Sequence, residues 1–164
     1  MTRQLSEKLL YQGTEHQLHN EPLSSFLNKN YRKLRLRHMH TGCYRGYIAS
    51  WEIVEGRLYL MDIVTKEINL EIAREYVAQK YPDRKISRPD CLLNILFPDD
   101  QSPVFAGWYT GSLVCPAGKV IGYPSGLHRN YFTHYLHLFV NAGSVESEEL
   151  LTIDEMKERG ISEI

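Results

Sequence analysis

Apolar and polar residues alternate with a period of two along much of this chain, and only two stretches switch to helical spacing. Leu9-Leu10-Tyr11-Gln12-Gly13 reads as a first strand running into a turn, with Glu15 to His19 as its return. Asn20-Glu21-Pro22 interrupts the chain, and Leu23 to Asn30 is an irregular or short helical link. From Arg32 to His40 the alternation resumes. Leu34, Leu36, His38 and His40 share one face and Lys33, Arg35, Arg37 and Met39 the other, the signature of a half-buried strand. A hairpin is expected from Tyr44 to about Ile63, turning at Glu55-Gly56, with Trp51, Ile53, Leu58 and Leu60 in the core.

Glu67 to Lys80 breaks the pattern. It lacks glycine and proline, and Leu70, Ala73 and Val77 form an apolar stripe at helical spacing. Acidic residues lead, Lys80 trails, and Pro82 stops the segment, which predicts a helix over 67–80. A proline-punctuated connection follows, with Cys91 to Phe97 as a buried strand or turn-rich plug. A second hairpin is expected from Val104 to Tyr123, then a loop at Gly122 to Gly126. Asn130 to Val140 is apolar on both faces, as in a central strand. Asn141-Ala142-Gly143 turns it into a last strand, Val145 to Thr152, and Ile153 to Arg159 predicts a short C-terminal helix ahead of Gly160.

The two hairpins share a design. Tyr44-Arg45-Gly46-Tyr47 leads through an apolar run to Glu55-Gly56-Arg57, and Phe105-Ala106-Gly107-Trp108 leads through another to Ala117-Gly118-Lys119. Aromatic, any residue, glycine, aromatic, apolar run, glycine, basic: the pattern predicts two equivalent hairpins. The expected fold class is therefore mainly β (α+β), an antiparallel small barrel or two-layer sandwich with one packed helix at about 67–80 and the short C-terminal helix. At 164 residues, with no linker or low-complexity segment, residues 1–164 are expected to form one domain.

Composition adds to this picture in three places. Eleven tyrosines favour pleated, half-buried surfaces. A net charge of -1 gives the chain no global attraction for nucleic acid or anionic lipid, but the charge is unevenly spread. Lys29 to Arg37 is basic and Glu146 to Glu163 acidic. The three cysteines, Cys43, Cys91 and Cys115, make no C-x-x-C and suit reduced thiols in a cytosol. With no apolar run of membrane-spanning length and no signal-peptide pattern at Met1 to Glu7, a cytoplasmic location is expected.

Candidate chemistry is sparse. His38-x-His40 on one strand face presents two imidazoles of the kind that hold a divalent metal, with His134, His16 or His19 as a third ligand. The bland alternative is two hydrogen-bonded or rim histidines, and by that reading no cofactor is bound. His134 and His137 lie three apart on a strand and so face opposite sides. Cys43, near Arg45, has the setting of a thiolate nucleophile but also that of a small buried hydrophobe. Asp62 is a single acid better suited to pairing with an arginine. P-loop, G-x-G-x-x-G and G-x-S-x-G patterns are absent, which removes support for the enzyme classes they mark. The basic stretch 29–37, with Tyr31, Tyr44 and Tyr47 nearby, fits either single-stranded nucleic acid, held by charge and stacking, or an acidic protein.

Taken together, Leu10-Tyr11-Gln12-Gly13, the run from Cys43 to Ile53, Gly56 to Ile63 and Val104 to Leu113 resemble a family of small uncharacterised bacterial proteins with a similar WEI…LYL…DI stretch and F-A-x-W-x-x-G segment. The resemblance covers about two thirds of the chain. It implies a bacterial, compact, β-rich domain and carries over no activity and no catalytic residue. The chain departs from the family's pattern at Gly107, where an acidic residue is expected, and in the tail after Val140.

The leading expectation is a cytosolic, non-enzymatic binding module for a protein partner, immunity- or antidote-like, using Tyr31, Arg35, Arg37, Tyr44 and Arg45. The alternatives are a metal- or small-ligand-binding barrel enzyme built on His38 and His40, and a single-stranded nucleic-acid binder using the 29–37 stretch.

Overall fold

A computed structural model of the chain describes residues 4–99, 102–122 and 130–161. Its framework is three two-residue β-hairpins. β1 (Glu7–Tyr11) and β2 (Thr14–Leu18) turn at Gln12-Gly13; β3 (Ile48–Val54) and β4 (Arg57–Val64) turn at Glu55-Gly56. β7 (Tyr131–Asn141) and β8 (Ser144–Thr152) turn at Ala142-Gly143. Both residues of each turn have positive φ, the geometry whose twist matches two antiparallel strands. β5 (Val104–Phe105) adds to β4, and β6 (Gly111–Gly122) pairs along β7.

These strands form one mixed sheet in the order β2-β1-β3-β4-β8-β7-β6. β1 and β3 are parallel, joined through β2, the helix α1 (Pro22–Asn30) and a long loop, because parallel neighbours need a crossover. Between β4 and β8 the joint is a single pair, Arg57 with Ser144, braced where Leu58 N–H reaches Gly143 O at 2.8 Å and Val145 N–H reaches Gly56 O at 2.7 Å. The two ends of the sheet approach each other without a ladder. His19 N–H donates to Val114 O at 2.9 Å, and Val114 N–H goes to the Asn20 side chain. The sheet is thus open and mixed, which corrects the small barrel of the two expected architectures and the purely antiparallel pairing. The mainly β class, the packed helix α2 (Glu67–Lys80) and a short C-terminal helix α4 (Ile153–Glu158) are as expected.

The main core lies between the sheet and the helices. Leu9, Trp51, Leu58 and Leu60 from the strands meet Leu70, Ala73 and Val77 of α2 and Leu92 and Ile95 of α3 (Leu92–Leu96). The apolar segment 91–97 is therefore a buried helical turn rather than a strand. A smaller cluster joins Val114, Tyr135 and Leu151 to Met156 of α4. That helix starts on a capping box, Thr152 with Glu155.

Two expectations fail, each for a local reason. The chain from Arg32 to His40 is a loop, not a strand. Its backbone is claimed by the buried Asn69 of α2, whose side chain accepts from Arg37 N–H (2.7 Å) and donates to Arg37 O (2.8 Å) and Gly46 O (3.0 Å). Leu34 and Leu36 still pack inward, but His38 and His40 are exposed. Nor does the second hairpin form. β6 runs straight through Ala117-Gly118-Lys119, and its register on β7 jumps from Ala117–His134 to Val120–Phe132, so two residues oppose Thr133 alone. That is a β-bulge, with Gly118 at φ +72° and Lys119 N–H bonded to the Thr133 hydroxyl. The loop expected at 122–126 lies, beyond Gly122, outside the described residues.

Candidate functional site

The five residues singled out for partner contact do not form one surface. Tyr31 is buried, donating its hydroxyl proton to Leu96 O at 2.5 Å and accepting from Arg84 at 2.8 Å. Burial raises the pKa of its phenol, opposed by the Arg84 cation. Arg45 is equally committed. It pairs with the buried Glu7 at 3.1 Å and with Glu21 at 3.6 Å, and donates to Leu5 O, leaving 11 % of its side chain exposed. Tyr31 and Arg45 do line one small cleft of about 180 Å³ with Tyr47 and Leu36. Tyr44 is 59 % exposed and edge-on to His38. Arg37 projects its side chain outward from the backbone that Asn69 holds. Arg35 alone of the five lines a basic groove.

His38 and His40 gain no third ligand. Among the described residues no three His, Cys, Asp or Glu side chains come together as a metal site. His40 Nδ1 accepts from Gly42 N–H at 3.1 Å, while His134 lies on β7 beside the Thr133 hydroxyl. Cys43 is buried, its thiol directed to Tyr47 O at 3.3 Å and near Met39 sulfur, which is the small-hydrophobe role. All three cysteines are free. Burial pushes the Cys115 thiol up to about 12, so it stays protonated near neutrality.

The groove is built from two segments. The 32–35 loop leaves α1 and passes the C-terminal turn of α2, which supplies Tyr76, Gln79 and Lys80. The result is a cleft of about 920 Å³ lined by Arg32, Lys33, Arg35, Tyr76, Gln79 and Lys80. Four of the six carry positive charge, no acid lines the groove, and among the described residues none of the four is in an ion pair. Two of them are held in place. Arg35 folds back to donate to Arg32 O (2.8 Å), and Lys80 donates to Asn30 O (3.2 Å) and the Tyr76 hydroxyl (3.1 Å). The Tyr76 hydrogen bond raises the Lys80 pKa above its ordinary value, so the ammonium is fully charged near neutrality. Sequence reasoning found the loop half of this groove and missed the helix half. Lys80 had a sufficient local role as the cation at a helix C-terminus, and nothing in the linear pattern brings α2 beside the loop.

Beyond Lys80 the surface continues past Tyr81 and Arg84 into a second cleft of about 280 Å³. Its walls include Phe26, Phe97 and Trp108, packed against one another with ring centroids 4.5 to 5.7 Å apart and Phe97 stacked on both others. One face of Tyr81 carries a cation, and Lys80 sits at the hydroxyl edge of Tyr76. Arg84 sits 4.1 Å above Tyr81, and Lys80 lies 5.5 Å from both the Tyr76 and Tyr81 rings. Among the described residues no helix is long and apolar enough to cross a membrane. No protein-family profile, curated protein or solved structure matches the chain.

Proposed function

We propose that this protein is a non-enzymatic recognition module of the bacterial cytosol that binds an acidic segment of a protein partner, in the manner of an immunity or antidote protein. The observation that carries this reading is the groove between the 32–35 loop and the end of α2, with four cations, no acid and about 920 Å³ of open space. Cations that are in no ion pair among the described residues stay available to complement an anion, and a partner's carboxylates are matched there by Arg32, Lys33, Arg35 and Lys80. The bacterial setting is supported by the resemblance carried by the Cys43–Ile53 and Val104–Leu113 segments, and the cytosolic one by three free cysteines.

A protein segment is favoured over single-stranded nucleic acid by the tyrosines. A base needs a free aromatic face, and Arg84 already occupies one face of Tyr81. Fluorescence anisotropy with a labelled oligoglutamate peptide and a labelled oligonucleotide tests the reading. Salt-sensitive peptide binding that is lost in the Arg32→Glu/Arg35→Glu double variant is expected. Equal peptide binding by that variant, or binding of the oligonucleotide alone, overturns it.

A further inference from the structure

A connecting cleft lined by Lys80, Tyr81, Pro82, Asp83 and Arg84 shares Lys80 with the groove and Tyr81 and Arg84 with the aromatic cleft, so the three form one continuous track. The cleft differs from the groove in chemistry. Phe97 is buried at its base, Phe26 and Trp108 are half-buried, and Phe105 is 40 % exposed at the rim. Trp108 is fixed by its indole N–H to Pro22 O at 2.9 Å, and Phe26 by the stack on Phe97, so the walls are already in place. At about 280 Å³ the cleft falls just below the roughly 300 Å³ at which drug-sized ligand pockets begin, a size that suits one large side chain. Arg84 stands between the basic and aromatic parts, bonded to the Tyr31 hydroxyl and covering Tyr81. Asp99 lines the aromatic cleft, and Asp83 lines the connecting stretch beside Arg84.

We propose that the aromatic cleft is the anchor site for a single aromatic side chain of the same acidic partner segment, so that the partner's recognition element is an acidic run with one aromatic residue beside it. This rests on the acidic-partner reading of the groove. The division of labour is the ordinary one of tight interfaces. An aromatic anchor in a preformed pocket supplies most of the binding energy, and flanking charges set orientation and association rate. Aromatic pairs favour edge-to-face or stacked arrangements, and Phe26 already stacks on Phe97 at 4.5 Å in this cleft. A purely acidic ligand leaves this cleft empty, and a purely apolar one leaves the four cations of the groove unmatched.

The experiment uses oligoglutamate peptides carrying one phenylalanine at successive distances from the acidic run, with alanine versions as controls. At the best spacing the phenylalanine peptide is expected to bind the wild-type protein at least tenfold more tightly than its alanine control. Its binding alone should perturb Trp108 emission. Asn30→Trp, at the half-buried edge of the cleft, places an indole in the anchor's space. It is expected to reduce phenylalanine-peptide affinity to that of the alanine control and leave the control unchanged. The Trp108 readout on wild-type protein stands even if that variant folds poorly. Equal affinity of the two peptides at every spacing, with both still lost in Arg32→Glu/Arg35→Glu, overturns the anchor and keeps the groove. A tenfold preference that Asn30→Trp does not touch, with Trp108 unmoved, also overturns it. If no peptide binds, or the charge reversal has no effect, it is the groove reading that fails.

Discussion

Replacing Arg45 separates a residue that holds the fold from one that meets a partner. The Glu7 carboxyl is fully buried, and Arg45 is its cation. One oxygen, Glu7 Oε2, takes hydrogen bonds from Arg45 at 3.1 Å and from Ala49 N–H at 2.5 Å; the other finds no partner among the described residues. Burial raises the Glu7 pKa from 4.5 to about 7, more than Arg45 and Ala49 lower it. Arg45→Met leaves the carboxylate buried without a cation, and breaking one side of such a pair costs about 3–5 kcal/mol. An exposed arginine at a docking surface costs well under about 1 kcal/mol of stability when removed. Urea unfolding followed by tryptophan fluorescence distinguishes these values. The cost should be larger at pH 8 than at pH 5, because below the folded pKa the carboxyl is mostly protonated and needs a cation less. The double variant Glu7→Gln/Arg45→Met should recover much of the loss, since an uncharged pair removes the isolated charge. A single-variant loss under about 1 kcal/mol at pH 8, or a double variant no more stable than Arg45→Met, refutes the reasoning.

The remaining expectations follow from the same geometry. Because Glu7 holds its proton more tightly folded than unfolded, its contribution to stability is complete below about pH 4.5 and declines as pH rises to about 7; Glu7→Gln should flatten that slope in a pH series of urea midpoints. Gly118→Ala drives a Cβ into the Thr133 hydroxyl at a φ of +72°, whereas Gly56→Ala meets nothing within 4 Å. Gly56→Ala should cost about 1–2 kcal/mol for the backbone alone and Gly118→Ala measurably more, read as the difference in thermal midpoints. Asn69→Ala removes the bonds to Arg37 and Gly46 and should cost about 2–4 kcal/mol at roughly 1 kcal/mol per bond, with faster hydrogen exchange at the Arg37 amide.

Local signals were readable where they were sufficient by themselves. Residue-glycine pairs at Gln12-Gly13, Glu55-Gly56 and Ala142-Gly143 close hairpins because a two-residue turn needs positive φ and little else. The helix 67–80 was legible from its spacing and its charged ends. The same logic misjudged Gly118. Gly56 and Gly118 carry the same local message, a glycine followed by a cation. One turns the chain and the other bulges it, because the long strand β7 lies alongside β6 on both sides of Gly118 and pairing continues past it. The 32–40 segment shows a second kind of override. Its alternation does place Leu34 and Leu36 inward, but its backbone bonds the side chain of a buried asparagine at Arg37 and local turns at Leu34 and Met39 rather than a neighbouring strand.

The candidate site divides in the same way. A basic run and an excess of tyrosine were visible along the chain, and so was the chance that charge there serves recognition. Which cations remain free was not visible, because neutralisation depends on groups remote in sequence. Arg45 is taken by Glu7, 38 residues away, and Tyr31 by Leu96, 65 residues away. Arg32, Lys33 and Arg35 gain Lys80 as a neighbour instead. By itself the sequence determined turns, strands, the helix stripe and the mainly β class, since each follows from a few adjacent residues. Only the tertiary structure decided that the sheet stays open, that the second glycine bulges, and that charge and aromatic rings share one track, because each of these depends on which distant backbone or side chain arrives first to satisfy a polar group.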